Sequence, residues 1–319
     1  MSPQISVIMS VYKEPIDWLR QSIGSILCQT FRDFEFIIIC DNPQYVDGIH
    51  LLKDYSEKDS RIQLSFNEEN IGLTKSLNKG LAIAKGKYIA RMDADDISMP
   101  RRFEKQIAFM DSHPDYIVLG TNFTYIGETP LYKKLLKTVE YGNEIIKAHL
   151  MGGNCIAHSS VFIRRSILAQ HCLKYDENYR SNQDYRLWEM LIPYGKFENL
   201  KECLLKYRVS SGQVTKNKPI DQIKQAYAIS FRLQKEWLAQ NNMLYSYSEI
   251  ENQPFKILNE LKKNKEIVKQ TGYKFYLQFV YLDSFEKDSR FKAFLNGDFF
   301  RFPFQSKLLY IKKMIRKSL

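Results

Sequence analysis

The sequence predicts an α/β fold in which helices flank a mostly parallel β-sheet, followed by a helical C-terminal extension. Short runs rich in Val and Ile alternate with segments of helical periodicity over about the first 95 residues. This βαβαβαβ alternation implies parallel strands joined by right-handed crossovers. Acidic residues follow two of the four strand-like runs, namely Asp41 and the pair Asp93 and Asp95. Both acidic positions therefore belong to one edge of the sheet, where open α/β sheets bind their ligands.

The first half of the chain supplies four strands and three helices. Apolar runs without alternation indicate strands that are buried on both faces. Pro15 occupies a position typical of a helix start, and a later helix ends at Gly86. The predicted strands are residues 5–12, 34–40, 62–65 and 88–90, and the predicted helices follow Pro15 and occupy residues 49–55 and 74–84.

The region after the acidic stretch continues the pattern less regularly. Pro100 begins a helix, and residues 116–120 form a fifth strand. Residues 128–137 show no clear period, which predicts an irregular, mobile flap. The remaining predicted elements are helices at residues 144–150, 182–191 and 222–238, an apolar run at residues 161–163 and a closing segment at residues 200–208.

The composition is that of a soluble globular protein, with 319 residues, 44% hydrophobic and 26% charged. This length holds one large domain, or a domain with an extension. We expect a cytoplasmic protein, because residues 1–4 run directly into a strand and no apolar run reaches the roughly 18 residues of a membrane span. The five cysteines are scattered and odd in number, which favours free thiols in a reducing compartment over disulfides or a zinc site.

The net charge of +11 is concentrated in the C-terminal third. Residues 212–319 contain 20 Lys and Arg against 10 Asp and Glu, whereas residues 1–211 are nearly balanced. Aromatic and basic residues interleave from Tyr273 onward, and residues 308–317 form a basic amphipathic segment. That segment suits either an anionic membrane surface or a helix that packs on the core with a solvated basic side. No nucleic-acid-binding signature accompanies the charge, so no nucleic acid partner is expected.

Three carboxylates follow the fourth strand, at Asp93, Asp95 and Asp96. Burying like charges together is costly unless a cation neutralises them, and Mg²⁺ typically binds one or two carboxylates together with substrate phosphates. The pattern therefore suggests a metal–diphosphate site, and the alternative is an acidic turn that caps the next helix. Neither G-x-G-x-x-G nor G-x-x-x-x-G-K-S/T occurs, which argues against dinucleotide dehydrogenases and P-loop NTPases.

A series of short motifs stands in order between residues 4 and 215. They are residues 6–12, 25–31, Asp41, 70–73, 78–80, 93–96, 158–160, 164–166, 183–184 and 207–208. In this order they resemble the family 2 inverting glycosyltransferases, which have the GT-A fold, and especially bacterial enzymes that build lipopolysaccharide or capsule. The resemblance implies a catalytic domain over residues 1–215 (nucleotide-sugar half 1–98, acceptor half 99–215) and a basic helical region over residues 216–319.

The resemblance also implies roles for individual residues. Asp41 matches the acid that hydrogen-bonds the uracil of a UDP-sugar, and Asp93 matches the acid on its ribose or sugar side. Asp95 matches the ligand of the Mn²⁺ or Mg²⁺ that bridges the phosphates, and Asp184 matches the general base. We expect Asp96 to be a neighbour that orients Asp93 and Asp95. The implied nucleotide-sugar site comprises Val11, Tyr12, Glu14, Asp41, Gly72, Lys75, Asp93, Ala94 and Asp95, and the implied sugar contacts are His158 and Gln183.

Three positions depart from the family's usual sequence. Residues 40–43 read Cys-Asp-Asn-Pro where many members have Asp-Asp-Gly-Ser, although the second acid is retained. Ser210 stands where relatives often have a His near the metal. Gln183 precedes the base in place of the commoner Glu, which leaves the base itself intact.

Four of the implied site residues also have ordinary structural explanations. Asp184 suits the positive end of a helix dipole, and His158 suits a structural histidine. Lys75 fits a solvated helix face as well as a diphosphate contact. Glu14 fits a cap for the turn before Pro15 as well as a nucleotide contact.

The expected function is metal-dependent, inverting transfer of a hexose or N-acetylhexosamine from a UDP-sugar to a glycan or lipid-linked oligosaccharide. We expect the enzyme in the cytoplasm, peripheral to the inner face of the membrane. One alternative is a metal-dependent nucleotidyltransferase, which also uses acids on an α/β sheet and would release pyrophosphate. The other is a non-catalytic basic module on a membrane surface, whose function would survive Asp95→Ala.

Overall fold

The structure is a computed structural model that describes residues 2–127, 140–210 and 220–283. The chain divides into two compact units. The sheet unit consists of residues 1–141 and 156–222, and the helical unit consists of residues 142–155 and 223–319. The predictions for residues 128–137 and 308–317 lie outside the described residues.

Four parallel strands form one half of the sheet, as the βαβ alternation predicts. They are β1 (Ile5–Val11), β2 (Phe34–Cys40), β3 (Ile62–Phe66) and β4 (Tyr88–Arg91). Their spatial order is β3-β2-β1-β4. Every residue of β1 and β2 is buried, which explains why both runs are apolar without alternation.

Three helices connect these strands. They are α1 (Ile16–Leu27), α2 (Val46–Lys58) and α3 (Leu73–Ile83). α1 begins directly after Pro15, whose fixed φ suits a helix start. Leu19, Ile23 and Ile26 of α1 are fully buried in the same core cluster as the β1 and β2 side chains. Their spacing is that of one helical face, so the periodicity of the sequence reflects packing on the sheet.

The second half of the sheet is mixed in direction. Its elements are β5 (Ile97–Ser98), α4 (Arg102–Ser112), β6 (Tyr116–Gly127), β7 (Phe162–Arg164) and β8 (Lys196–Val209). The strand order continues as β4-β7-β6-β8-β5. β7 runs antiparallel to both β4 and β6, β8 runs parallel to β6, and β5 runs antiparallel to β8. The sheet is therefore mostly parallel, as the sequence predicts, with β7 and β5 reversed.

Two features of this half differ from the sequence prediction. β6 continues to Gly127, beyond the predicted end at residue 120. The continuation is only half-buried and pairs with β8 through register shifts near Asn122, so its partner stabilises it and no local pattern marks it. β5 has two residues, which is too short for any periodicity to appear.

Three further helices lie among residues 140–210. They are α5 (Asn143–Leu150), which belongs to the helical unit, and α6 (Arg165–Gln170) and α7 (Gln183–Leu191), which belong to the sheet unit. A short 3₁₀ turn at His158–Ser160 precedes β7. α5 and α7 confirm the helices predicted at residues 144–150 and 182–191.

The rest of the helical unit has its own apolar core. Its helices are α8 (Ile220–Gln240), α9 (Tyr247–Asn252), α10 (Pro254–Leu261), α11 (Lys265–Lys269) and α12 (Thr271–Asp283). Leu238, Ile257, Leu261 and Tyr276 are fully buried together. α8 confirms the helix predicted at residues 222–238. Among the described helices, none is long and apolar enough to cross a membrane.

Candidate active site

The carboxyl ends of the parallel strands bring the predicted acids to one edge of the sheet. β1 and β2 stay in register up to Val11 and Cys40, so Asp41 follows directly beside the end of β1. β4 pairs with β1 only as far as Arg91 and Ile8, and there the chain leaves the sheet with the acidic residues 92–96. The acids after β2 and β4 therefore flank the end of β1 on either side.

The Asp41 carboxylate holds the turn that precedes α3, and Asp41 is 3% exposed. Its Oδ1 accepts hydrogen bonds from the Asn67 amide at 2.7 Å and from the N–H of Ile71 at 2.9 Å. Its Oδ2 accepts one from the N–H of Gly72 at 2.8 Å. Gly72 has a φ of +86°, a conformation that favours glycine. These donors stabilise the buried charge and leave an acceptor position on Oδ2.

Asp93 forms an ion pair with Arg91, a residue to which the sequence analysis gave no role. The Arg91 side chain is 2% exposed, and its guanidinium also donates to the carbonyl of Ile8 at 3.3 Å. The backbone of Asp93 is fixed from two sides. Its N–H donates to Oγ of Ser159 at 2.9 Å, and its carbonyl accepts from Oγ of Ser22 at 2.8 Å. The loop therefore presents Asp93 in one fixed orientation.

Asp96 is the most buried carboxylate of the acidic loop, with 1% exposure. Its Oδ1 accepts a hydrogen bond from the N–H of Arg208 at 2.7 Å, and its Oδ2 is buried without a partner. Burial raises the pKa of Asp96 well above its usual range, and the charges of Asp93 and Asp95 raise it further. The Arg208 guanidinium donates to the carbonyl of Asp95 at 2.6 Å. Arg208 thus anchors the loop from β8.

The acidic loop offers carboxylate oxygens, which are the ligands that Mg²⁺ and Mn²⁺ prefer. Burial raises the pKa of Asp96, and the negative charges of Asp93 and Asp95 raise it further. Within the described residues, no group of three or more His, Cys, Asp or Glu side chains could hold a metal.

Two polar residues of the segment around α1 fix the chain that follows the acids. The fully buried Gln29 amide donates to the carbonyl of Met99 at 2.8 Å and accepts from the N–H of Phe103 at 3.1 Å. Oγ of Ser25 accepts from the N–H of Ser98 at 3.0 Å. The motif that contains Ser25 and Gln29 therefore has a structural role. It positions β5 and the start of α4, the elements that follow the acidic loop.

Asp184, the predicted general base, lies half-buried in the first turn of α7. Asn182, the residue before the helix, adopts a left-handed conformation with a φ of +58°, which asparagine tolerates. Gln183 is buried at the helix start. The dipole of α7 favours an acid in this turn, so the position of Asp184 agrees with either a structural or a catalytic role.

Tyr175 and His158 form a hydrogen-bonded pair of side chains. The Tyr175 hydroxyl and Nε2 of His158 share a hydrogen bond of 2.8 Å. Burial raises the pKa of Tyr175; the Arg91 charge opposes that shift, and the charges of Asp184 and Asp93 add to it. Burial, with the Arg91 charge, lowers the pKa of His158 well below its usual range. Both acids therefore lie within electrostatic range of one buried phenol.

α3 fastens the segment that carries Tyr175. The Asn78 amide exchanges two hydrogen bonds with the backbone of Tyr175, at 2.9 Å to its carbonyl and 3.0 Å from its N–H. Oγ1 of Thr74 donates to the carbonyl of Tyr179 at 2.7 Å. Asn78 belongs to one of the short sequence motifs, to which no role was assigned. Its side chain joins α3 to the segment before α7.

The remaining predicted nucleotide-sugar residues occupy different positions around this edge. Val11 and Ala94 are buried, whereas Tyr12 is 38% exposed at the end of β1. Oε2 of Glu14 accepts a hydrogen bond from the N–H of Tyr12 at 2.9 Å. Glu14 therefore caps the turn before Pro15, which is the structural role considered for it from the sequence. Burial raises the pKa of Glu14. Lys75 is exposed on α3.

The described cysteines form no disulfide, as their scattered positions predict. Cys40, which precedes Asp41, is buried, and its Sγ donates to the carbonyl of Asn42 at 3.6 Å. Burial raises the pKa of the Cys40 thiol. Cys40 is therefore a small neutral side chain beside the site and has no character of a nucleophile.

A cleft of about 530 Å³ lies at the opposite edge, at the amino ends of β2 and β3. It contains none of the predicted site residues. Its buried acid, Glu35, is engaged by the Ser6 hydroxyl at 2.6 Å, the N–H of Lys85 at 2.7 Å and the Gln63 amide at 2.7 Å. The Glu35 carboxylate thus has a structural role. The acidic edge remains the candidate active site.

Comparison with protein families matches residues 6–172 to the model described as "Glycosyl transferase family 2". An uncharacterized glycosyltransferase of Methanocaldococcus jannaschii is 40% identical over 208 residues, which cover 65% of this chain and 71% of that protein. The O-antigen biosynthesis glycosyltransferase WbnJ of Escherichia coli is 35% identical over 216 residues, which cover 67% of this chain and 82% of that protein.

Among solved structures, residues 1–349 of S. aureus TarS in complex with UDP-GlcNAc are similar in fold. The match has a TM-score of 0.59 at 16% sequence identity and covers 89% of this chain and 88% of that chain. At this identity the likeness concerns the fold alone, and it agrees with the GT-A architecture that the sequence motifs imply.

Proposed function

Because the chain belongs to glycosyl transferase family 2, we propose that it transfers a hexose or an N-acetylhexosamine from a UDP-sugar to a hydroxyl of a growing surface glycan, with inversion at the anomeric carbon. One observation carries the proposal: Asp41 and Asp93 flank the carboxyl end of β1, at the edge where open α/β sheets bind their ligands. Asp184, in the first turn of α7, is assigned as the base from its match to the family motif.

The nucleotide would span the sheet edge from β2 to β4. Oδ2 of Asp41 can accept one more hydrogen bond. This position suits the N3–H group of uracil, which is the hydrogen-bond donor on the pairing edge of that base. Tyr12, exposed at the end of the neighbouring strand, lies between Asp41 and Asp93 along this edge. Asp93, held by Arg91, would then accept from the ribose or the sugar. The UDP-GlcNAc bound by S. aureus TarS, which has a similar fold, supports a UDP-linked donor.

Mn²⁺ or Mg²⁺, held by Asp95, would offset the charge that develops on the UDP leaving group. Two arginines hold the backbone and side chains of the acidic loop in position. Arg208 holds the carbonyl of Asp95 and one oxygen of Asp96, while Arg91 pairs with Asp93. Asp95 is assigned to the cation from its place in the acidic motif of residues 93–96.

Asp184 would act as the general base on the acceptor. It accepts the proton of the acceptor hydroxyl while that oxygen forms a bond to the anomeric carbon, and the bond from that carbon to the UDP oxygen breaks with its electron pair. The N-terminal end of α7 favours the charged carboxylate, which is the form that takes up a proton. A single in-line attack inverts the carbon, so an α-linked donor gives a β-linked product.

The acceptor is proposed to be a lipid-linked glycan at an anionic membrane surface. The O-antigen role in the name of WbnJ supports a surface polysaccharide as the product. The excess of basic residues over residues 212–319 supports attraction to anionic lipids.

A donor screen tests the proposal. The full-length protein is incubated with UDP-Gal, UDP-Glc, UDP-GlcNAc, UDP-GalNAc, GDP-Man and dTDP-Rha, and released nucleotide is measured with and without Mn²⁺. We expect slow release of UDP from one UDP-sugar, stimulated by the metal, and no pyrophosphate. A clear preference for a non-uridine donor would overturn the role of Asp41, and release of pyrophosphate would identify a nucleotidyltransferase instead.

A further inference from the structure

We propose that Lys79 is a positioning residue for uridine recognition, because it fixes the amide of Asn67 and through it the carboxylate of Asp41. The proposal rests on the function proposed above. Nζ of Lys79 donates to Oδ1 of Asn67 at 2.7 Å, and Nδ2 of the same amide donates to Oδ1 of Asp41 at 2.7 Å. The exposed face of α3 is thereby connected to the proposed base-binding acid through one buried side chain.

The two flanking charges determine the orientation of the Asn67 amide. An asparagine amide accepts at its oxygen and donates at its nitrogen. The Lys79 ammonium can only donate, so it must face the oxygen, whereas the Asp41 carboxylate can only accept, so it must face the nitrogen. Both contacts would be lost if the amide turned over. The third contact, from Nδ2 to Oγ of Ser76 at 3.0 Å, does not discriminate, because a hydroxyl donates as well as accepts.

The network is buried on the side of Asp41 and open on the side of Lys79. Asn67 is 2% exposed and Asp41 is 3% exposed, while Lys79 is exposed. A buried polar group that loses its partner is costly, and an amide oxygen turned toward Asp41 would face a carboxylate. Without Lys79 the buried amide oxygen of Asn67 would lose its partner. The amide would then be held less firmly, and its hydrogen bond to the Asp41 carboxylate would weaken.

The position of the Lys79 ammonium group is not explained by an ion pair within α3. The residues three and four positions away on α3 are not acidic; they are Lys75, Ser76, Ala82 and Ile83. An intrahelical ion pair is therefore excluded. In the part of the chain that the structure describes, the polar contact of Lys79 is the one to Asn67.

The consequence of a fixed Asp41 is discrimination between pyrimidines. Uracil carries an N–H at position 3, which donates to a carboxylate, whereas cytosine carries a lone pair there. The acceptor position on Oδ2 of Asp41 thus favours UDP and repels CDP only while the carboxylate keeps its orientation. A residue that sets this orientation therefore controls the ratio of the two affinities.

The test measures binding of UDP and of CDP to the full-length protein by isothermal titration calorimetry in the presence of Mn²⁺. We expect Lys79→Met to weaken UDP binding by about 10-fold and CDP binding by less than about 2-fold. Steady-state kinetics with the preferred donor should show a rise in KM of about the same factor with kcat nearly unchanged. Lys79→Arg, which can still donate, should restore both quantities. Lys53→Met, an exposed lysine of α2, serves as the charge-matched control.

Three outcomes would decide against the proposal. If Lys79→Met weakens UDP and CDP equally or lowers Tm markedly, its role is structural. If Lys79→Met leaves UDP affinity unchanged while Asp41→Asn weakens it, Asp41 reads the base without help from Lys79. If Asp41→Asn itself leaves UDP affinity unchanged, the base contact of the proposed function is wrong, and the inference falls with it.

Discussion

Carboxylates of this site differ in how the protein holds them. Asp41 is buried and receives three hydrogen-bond donors, whereas Asp184 lies half-buried in the first turn of α7. A carboxylate that is bound on nearly all sides is suited to hold one orientation for recognition. A carboxylate in a helix turn with solvent access is suited to exchange a proton.

Asp184→Asn tests the base assignment. The amide keeps the size of the side chain but cannot take up a proton, so we expect kcat to fall by about 10²- to 10⁴-fold while KM for the donor changes little. Asp17, the acid in the first turn of α1, provides a control for the helix-dipole role alone. Asp17→Asn should leave kcat unchanged. Full activity of Asp184→Asn would show that Asp184 is a helix acid and not the base.

His158 predicts an acid sensitivity of the fold. Its pKa in the folded state lies well below the unfolded value of about 6.5, because of burial and the Arg91 charge. Between the two pKa values the unfolded chain binds a proton that the folded chain does not. The free energy of unfolding is therefore lost as pH falls below about 6.5, by at most about 1.4 kcal/mol per pH unit.

His158→Gln should remove this part of the pH dependence. Urea denaturation of both proteins at pH 7.5, 6.5 and 5.5 measures the difference in unfolding free energy. We expect the wild type to lose stability relative to the variant on acidification. Parallel curves for the two proteins would show that His158 does not contribute to the acid sensitivity.

At the scale of elements, α3 joins more parts of the site than any motif of the sequence indicates. Its start is held by Asp41, and its residues contact both Asn67 and the Tyr175 segment. It also lies very close to β1, because a Cβ at Gly80 would be 2.6 Å from Cγ2 of Ile8. The place of glycine in this helix thus follows from packing on the sheet and not from helix propensity.

Gly80→Ala should destabilise the protein by about 1–3 kcal/mol, because the β-branched Ile8 is buried and cannot yield easily. Gly24→Ala is the matched control, since it lies inside α1 and its Cβ would have no neighbour within 4 Å. That change should stabilise by about 0.5–1 kcal/mol through helix propensity. Chemical denaturation measures both. Equal effects of the two substitutions would contradict the close approach of α3 to β1.

The elements that the sequence predicts well are those whose pattern is local. β1 to β4 and α1 to α3 are found close to their predicted positions, since continuous apolar runs and helical spacing record burial directly. The second half of β6 and the two-residue β5 are missed because their stability comes from pairing with β8. The helices predicted at residues 144–150 and 182–191 are confirmed, although nothing local indicates that the first belongs to the helical unit.

At the scale of the whole molecule, the sequence could identify the acids of the site but not the residues that hold them. Asp41 and Asp93 follow predictable strands, so their shared edge follows from topology. Arg208 and Tyr175 reach the site from segments far along the chain. A role of this kind depends on tertiary contacts, for which a single sequence contains no periodic signal.

We propose that Asp184 and the acidic edge catalyse inverting transfer from a UDP-sugar. ¹H NMR of the slow hydrolysis of the preferred UDP-α-sugar, with water as the acceptor and Mn²⁺ replaced by Mg²⁺, tests it most directly. We predict that the β-anomer of the released sugar forms first, that UDP is the accompanying product, and that Asp184→Asn abolishes both signals. Initial formation of the α-anomer, or undiminished hydrolysis by Asp184→Asn, would contradict this account.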